Sequence, residues 1–147
     1  MLPSPLFHLA FPVSDLEATE RWYVQGLGCR RGRRSAEALV LELGGHQLVA
    51  HLERVLPPAQ KGIYPRHFGL VFATPQELNA LERRAHEQGL RQGCEPRWRF
   101  PGTPLEHRSV FLIDPSGNWL EFKHYVNPEA ITGLEDHQQV GERGGNQ

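Results

Sequence analysis

The chain has 147 residues, the size of one ordinary domain and enough to bury a hydrophobic core. Its formal charge is −1, from 16 basic and 17 acidic residues, so its charge predicts neither a nucleic acid nor an anionic membrane as partner. Cys29 and Cys94 are too few for a disulfide framework or a four-cysteine zinc site. Without a signal-peptide pattern or a membrane-spanning apolar run, we expect a cytoplasmic protein that binds a small molecule.

The first half of the chain predicts a strand, a helix and three further strands. Ser14-Asp15 can cap the helix at its start, and Gly26 and Gly28 can end it. Gly44-Gly45 is a good hairpin signal between the last two strands. The predicted strands include an apolar run at 6–13 and the runs 38–43 and 47–52. The arginine cluster of Arg30, Arg31, Arg33 and Arg34 falls on a turn and an edge strand between them, where such charges usually keep the edge soluble.

The second half predicts the same order again. Thr74-Pro75 is a favourable helix start after a strand, and Gly89 ends that helix. The turn 114–117, Asp-Pro-Ser-Gly, separates the last two strands. The predicted strands cover residues 67–73, 97–100, 109–113 and 119–125.

This repetition predicts a duplicated module that forms one domain. The modules cover roughly residues 5–55 and 65–126, within a domain that spans residues 1–127. Residues 128–147 follow as a C-terminal tail, which we expect to be mobile because residues 133–147 are rich in Gly, Gln and charge.

Three residues in these strands have the composition of a metal site. His8 and His67 lie in apolar runs at equivalent places in the two halves, and Glu121 lies in the last strand. Taken singly, a histidine in a strand is more often a core or surface residue than a ligand. Together, two imidazoles and one carboxylate hold a divalent metal and leave positions for substrate and for water or dioxygen.

The chain resembles the vicinal oxygen chelate superfamily, which includes glyoxalase I, the bleomycin and fosfomycin resistance proteins and the extradiol dioxygenases. The resemblance covers residues 5–126 and rests on the run Phe7–Leu16, on Trp22-Tyr23, and on the run Phe111–Glu121. It implies an α+β fold in which two βαβββ modules pair into a cupped mixed sheet with helices on the outer face. It also implies that His8, His67 and Glu121 bind a divalent metal in the cup. A homodimer is expected, with the cup built within one chain or between two.

Strand alternation adds candidates beside these ligands. Lys123 and Tyr125 share a strand face with Glu121, and Gln47 shares one with His51. Arginines in the run 97–100 are candidates for holding an anionic substrate group. We therefore predict His51 and Tyr125 as catalytic residues, and Gln47, Arg97, Arg99 and Lys123 as substrate-binding residues.

The resemblance leaves the reaction open. Glyoxalase I has a fourth ligand, a carboxylate, from the strand that here offers Gln47, Val49 and His51. Fosfomycin-modifying transferases have a threonine where this chain has Ala10. Extradiol dioxygenases carry an acid–base histidine close to the place of His51, but they commonly have a tyrosine where this chain has Phe111.

We predict an Fe(II)-dependent, extradiol-type dioxygenase that acts on a small substrate with adjacent oxygens. His51 would move the proton. One alternative is non-redox Lewis-acid chemistry with Mn(II), Ni(II) or Zn(II), as in an isomerase, a lyase or a thiol transferase. The other alternative is a drug-binding protein that uses the crevice without a metal.

Overall fold

The computed structural model describes residues 4–141, which form two βαβββ modules in sequence. The first module consists of β1 (His8–Val13), α1 (Leu16–Glu20) continued by a π-helical segment (Arg21–Gly26), β2 (Arg30–Arg34), β3 (Ala38–Leu43) and β4 (His46–Leu52). The second consists of β5 (Phe68–Val71), α2 (Pro75–Glu87), β6 (Arg97–Arg99), β7 (His107–Ile113) and β8 (Trp119–Tyr125), followed by a 3₁₀ turn (Pro128–Ala130).

Each module folds into a mixed four-stranded sheet. The strand orders are β1-β4-β3-β2 and β5-β8-β7-β6, so the two sheets have the same topology. In each sheet the first strand runs parallel to the last, and the other pairs are antiparallel. The predicted α+β fold of two βαβββ modules is therefore confirmed.

Local sequence signals explain the helix starts and the β3–β4 hairpin. The Asp15 side chain accepts a hydrogen bond from the Ala18 backbone N–H at the start of α1. At the start of α2 the Thr74 side chain accepts one from the Glu77 backbone N–H. Gly44 and Gly45 both have positive φ, 59° and 89°, as a tight two-residue hairpin turn requires. The helix predicted up to Gly26 is α-helical only in its first part and π-helical from Arg21.

The core lies between the helices and one face of each sheet. A single buried cluster includes Leu39 and Leu48 from the first sheet, Leu120 and Phe122 from the second, and Leu78 from α2. Because side chains alternate along a strand, the opposite sheet faces carry the residues between these core positions. Those opposite faces hold the predicted site residues on β1, β4, β6 and β8.

Polar contacts tie the turn between β7 and β8 to the first module. The buried Tyr23 hydroxyl donates to Asp114 Oδ2 at 2.8 Å, and Asn118 Nδ2 donates to the Pro12 carbonyl at 3.0 Å. Burial, followed by the neighbouring Asp114 carboxylate, raises the pKa of Tyr23 well above its usual value. The Tyr23 hydroxyl therefore keeps its proton and acts as a hydrogen-bond donor.

The face of each sheet opposite the core is called its open face. The segment after β8 continues along the open face of the second sheet. Its backbone makes local hydrogen bonds, from Gly133 to the Glu129 carbonyl and from His137 to the Leu134 carbonyl. The predicted mobile tail falls partly here and partly at residues 142–147, which lie outside the described residues, and its mobility stays a prediction. No helix within residues 4–141 is long and apolar enough to cross a membrane.

Candidate metal centre

His67 and Glu121 meet on the open face of the second sheet. His67 immediately precedes β5, and Glu121 lies in the middle of β8, opposite Gly69. His67 Nε2 lies 3.0 Å from Glu121 Oε1, and the Glu121 side chain is only 6% exposed. The backbones of β5 and β8 approach so closely here that a Cβ on Gly69 would overlap the Glu121 carbonyl oxygen.

Neighbouring groups fix the orientation of both side chains. His67 Nδ1 donates to the Ile63 carbonyl at 2.6 Å, which leaves Nε2 directed at Glu121. The Ser109 hydroxyl donates to the other carboxylate oxygen, Oε2, at 2.5 Å. A backbone carbonyl on the second ring nitrogen is a common feature of metal-binding histidines, because it sets the tautomer and the ring orientation.

The electrostatics of the pair favour its charged form. Burial alone would raise the pKa of Glu121, but the hydrogen bond from His67, the charge of Lys123 and the hydrogen bond from Ser109 lower it to about 2. The hydrogen bond to Glu121 raises the pKa of His67, although burial opposes this. Nε2 is the atom that faces Glu121 and also the atom at which a divalent ion would bind, so a proton and a metal would compete for it.

A cavity of roughly 400 Å³ opens beside this pair. Its walls are the open face of the second sheet, residues 63–64 and the segment after β8. The sheet contributes charged and aromatic groups, and the loop and the segment contribute mainly apolar and small residues. The lining from the sheet and its edges comprises His67, Arg99, Phe100, Leu105, His107, Glu121, Lys123 and Tyr125.

Two cations in this cavity lie against aromatic rings. The Arg99 guanidinium, in a residue that is 3% exposed, lies 5.5 Å from the centre of the Phe111 ring. Lys123 Nζ lies 5.4 Å from the centre of the Tyr125 ring. Among the described residues that line the cavity, Glu121 is the one carboxylate, so the lining is suited to an anionic ligand.

The other predicted arginine, Arg97, is half-buried in β6 and pairs in register with Ser109. It lies on the same sheet face as Arg99, two residues away. Of the two arginines, Arg99 is the one that lines the cavity.

His8, Gln47 and His51 lie on the first module instead. His8 Nδ1 is 2.8 Å from Gln47 Oε1, and the His8 side chain is exposed on β1. His51 is exposed near the end of β4, opposite Pro12. The structure therefore brings His67 and Glu121 together with Lys123, Tyr125 and Arg99, but it does not bring His8, Gln47 or His51 to them within one chain.

This separation leaves one chain short of a complete metal site. Within residues 4–141, no group of three or more His, Cys, Asp or Glu side chains is arranged to hold a metal ion. Two of the three predicted ligands, His67 and Glu121, fit the requirements through their geometry and support. The third, His8, contacts Gln47 through Nδ1 but does not line the cavity beside the pair.

Sequence reasoning missed two residues of the cavity, Ser109 and His107. Both lie on β7, two and four residues before Phe111, which pairs with Glu121. Strand alternation counted back from Phe111 would have placed both on the cavity face, but only with the β7–β8 register known. The predicted β7 also began at Ser109, whereas the strand begins at His107.

Comparison with known proteins supports the same family. The model of the Glyoxalase/Bleomycin resistance protein/Dioxygenase superfamily matches residues 6–122. The chain belongs to this superfamily. Superfamily members include lyases, transferases and dioxygenases, and they generally use divalent metals. No curated protein matches the chain.

Solved structures of the superfamily share the whole fold. A glyoxalase/bleomycin resistance protein/dioxygenase from Alicyclobacillus acidocaldarius is 38% identical, with a TM-score of 0.83 over 88% of this chain and 98% of that one. A fosfomycin resistance protein, FosX, from Listeria monocytogenes is 16% identical, with a TM-score of 0.68 over 88% of this chain and 100% of that one. Lactoylglutathione lyase from Agrobacterium tumefaciens is 19% identical, with a TM-score of 0.63 over 83% and 94%. The last two similarities show the fold alone.

Proposed function

We propose that this chain is a divalent-metal-dependent enzyme whose metal is held by His67 and Glu121 of one chain and His8 of a second copy. The observation that carries the proposal is the supported pair, in which His67 Nε2 and Glu121 Oε1 lie 3.0 Å apart at the wall of a cavity. Ile63 and Ser109 hold the two side chains in place. A surface ion pair would need no such support.

The third ligand supports a homodimer. His8 is exposed on the open face of the first sheet, and its Nδ1 contacts Gln47 Oε1, so Nε2 is the ring nitrogen that would bind a metal. The second module presents two ligands and the first module presents one, so two copies arranged by a two-fold axis would complete two identical sites. Gln47 then acts by holding His8, a role different from the substrate contact predicted for it.

The proposed substrate is a small anion with adjacent oxygens. Those oxygens would take the coordination positions that three protein ligands leave open. Arg99 and Lys123 line the same cavity and provide positive charge for a carboxylate on the substrate, while the Tyr125 ring provides an apolar contact. When bound, the metal would polarise the chelated oxygens and, as Fe(II), would support dioxygen chemistry.

An extradiol-type dioxygenase with Fe(II) is the reaction we propose first. The site offers three ligands because Val49, which cannot bind a metal, holds the first-module position equivalent to Glu121. A non-redox Lewis-acid enzyme with Mn(II), Ni(II) or Zn(II) is the second candidate. The observation in its favour is Phe111, which is fully buried opposite Glu121 where extradiol enzymes commonly have a tyrosine.

The test is metal loading followed by oxygen uptake. Protein purified without oxygen is loaded separately with Fe(II), Mn(II), Ni(II) or Zn(II) and assayed with catechol and with catechols that carry a carboxylate. We expect Fe(II)-dependent uptake, faster with the carboxylate-bearing compounds, and its loss in His67→Ala and Glu121→Ala. His124→Ala is the matched control, because His124 lies on the opposite face of β8 and bonds the Phe72 carbonyl.

Other outcomes redirect the assignment. Stoichiometric metal without oxygen uptake would favour Lewis-acid chemistry at the same site. A drug-binding protein would be favoured if no preparation held metal and if wild type and the His67→Ala and Glu121→Ala variants bound the catechols equally well.

Mixing two inactive variants tests the homodimer. His8→Ala and Glu121→Ala chains, each unable to bind metal, are unfolded together and refolded. If each site takes His8 from one chain and His67 and Glu121 from the other, random pairing restores about a quarter of the wild-type sites. If all three ligands belonged to one chain, the mixture would bind no metal.

A further inference from the structure

His107 lines the cavity but is not one of the proposed metal ligands. It begins β7, is 6% exposed, and lines the same cavity as His67 and Glu121. It lies on the same face of β7 as Ser109, whose hydroxyl bonds Glu121. A buried histidine at a cavity wall can have a purely structural role, so its two ring nitrogens decide what it can do.

The ring nitrogens of His107 have different surroundings. Nδ1 lies 2.9 Å from the Leu105 carbonyl, and since a carbonyl only accepts, Nδ1 carries a proton. In the neutral ring Nε2 therefore has a lone pair. Burial is the main cause that lowers the pKa of His107, so this neutral form predominates at neutral pH.

Packing holds the ring in one orientation. The His107 ring lies 4.5 Å from the Tyr125 ring, at an interplanar angle of 36°, and 6.1 Å from the Phe100 ring. These contacts, together with the Leu105 hydrogen bond, fix the ring on two sides. A preorganised ring with an unprotonated nitrogen at a cavity wall has the properties of a general base.

His51 fits this role less well. It is exposed near the end of β4 on the sheet face that also carries Gln47, so in the proposed dimer it would approach the pair together with His8 of the second copy, with a less confined ring than that of His107. His107, by contrast, lines the cavity that His67 and Glu121 line. The two histidines therefore differ in burial and in the contacts that hold the His107 ring.

We propose that His107 Nε2 is the base that accepts a proton from a hydroxyl group of the bound substrate. The O–H bond of the substrate breaks, its electron pair stays on the oxygen, and the proton forms a new N–H bond at Nε2. The Leu105 carbonyl and the Glu121 carboxylate stabilise the resulting imidazolium, while the positive charges of Lys123 and Arg99 stabilise the substrate oxyanion. This inference rests on the proposed metal-dependent function.

The charged groups around His107 set the pH dependence of this transfer. The charged and titratable groups that line the cavity with it come from every wall: Tyr64 and His67 before β5, Arg99 on β6, Glu121, Lys123 and Tyr125 on β8, and His137 on the segment after β8. None of these groups is altered in the variants below, so a change in pH dependence reports on His107 itself.

The test uses 4-nitrocatechol, whose visible absorption changes when its hydroxyls lose protons, and full-length protein loaded with Zn(II). Zinc has no redox chemistry, so the probe is bound without being consumed. The pH at which the bound probe is half deprotonated is compared between wild type, His107→Asn and His107→Phe. The phenylalanine variant keeps the aromatic packing, and thermal melts identify a variant that does not fold.

We expect this midpoint to rise by about one pH unit or more in both variants, which is about a tenfold decrease in the acid dissociation constant of the bound probe. His124→Asn is the matched control, because His124 also bonds a backbone carbonyl through Nδ1 but lies on the other face of the sheet. Zinc-dependent binding with unchanged midpoints would overturn the role of His107 and leave the metal site in place. Absence of zinc-dependent binding in wild type would overturn both proposals.

Discussion

The two modules share topology and register but differ at the residues that carry chemistry. In the first, His8 lies two residues before Ala10, which pairs with Val49; in the second, His67 lies two residues before Gly69, which pairs with Glu121. The histidines are equivalent, but the valine and the carboxylate are not. The comparison teaches that the duplicated scaffold positions one imidazole in each half, while a single half supplies the carboxylate.

The same difference extends to the neighbouring strand. Val49 pairs with Val40, and Glu121 pairs with Phe111. Two residues before Val40 the first module has Ala38, whereas two residues before Phe111 the second module has Ser109. The first module therefore has no hydroxyl to support a carboxylate at this position. Its open face holds one ligand, and the second module's face holds the rest of the proposed site.

Gly69→Ala should give the largest effect on stability. The new Cβ would overlap the Glu121 backbone, which is part of a hydrogen-bonded strand and cannot move away cheaply. We expect the free energy of unfolding to fall by about 3 to 4 kcal/mol. Ala10→Gly, at the equivalent position of the first module, should cost only about 0.5 to 1 kcal/mol.

Urea unfolding of both variants measures this difference. Similar losses in the two variants would show that the close approach of β5 to β8 does not constrain position 69.

Glu121→Ala and Val49→Ala compare the equivalent positions in metal binding. We expect Glu121→Ala to weaken metal binding by roughly 100-fold or more, because a ligand is lost, and Val49→Ala to change it little. Competition with a chromophoric chelator measures both affinities. A large loss in Val49→Ala would mean that the first module contributes more to the metal site than His8.

The metal-free protein should show the His67–Glu121 pair in its pH dependence. The pKa of Glu121 is lowered from 4.5 to about 2, so its stabilising contribution is complete above pH 4.5 and is lost as the pH falls towards 2. The pKa of His67 is raised from 6.5, so its contribution is complete below pH 6.5 and is lost as the pH rises through the higher value. The pair stabilises the fold most between these limits.

Thermal melts from pH 2 to pH 9 on metal-free protein test this. Glu121→Gln should flatten both limbs of the profile, whereas Val49→Ala should leave its shape unchanged. An unaltered profile in Glu121→Gln would show that other groups set the pH dependence.

The smallest predicted effect concerns the contact between the modules. Tyr23→Phe removes the buried donor to Asp114, and we expect a loss of about 1 to 2 kcal/mol in the free energy of unfolding. Ser116→Ala removes an exposed acceptor of the Ser14 backbone at the same turn and should cost about 0.5 kcal/mol or less. Equal effects would mean that burial adds nothing to the Tyr23 contact.

Much of the fold could be predicted from the sequence, because its signals are local. Gly44-Gly45 marks a hairpin through its backbone freedom, and the caps at Asp15 and Thr74 mark helix starts. The repeated order of elements then indicates the duplication. The π-helical segment from Arg21 was not predicted, because its hydrogen bonds differ by one residue from those of an ordinary helix.

The candidate site was harder to predict, because it depends on contacts between strands. Alternation along β8 correctly grouped Lys123 and Tyr125 with Glu121, since it involves one strand only. Ser109 and His107 needed the register of β7 against β8. The location of His8 away from His67 depends on how the two sheets face, which no local pattern encodes.

The ties at the β7–β8 turn also determine which parts of the molecule can move. Because Tyr23 holds Asp114, and Asn118 holds the Pro12 carbonyl, the modules cannot hinge apart without breaking a buried contact. The segment 130–141 lines the cavity, and its backbone hydrogen bonds from Gly133 and His137 are local. Of the cavity walls, this segment is therefore the one whose backbone could shift without breaking a contact between the modules, on the timescale of loop motion.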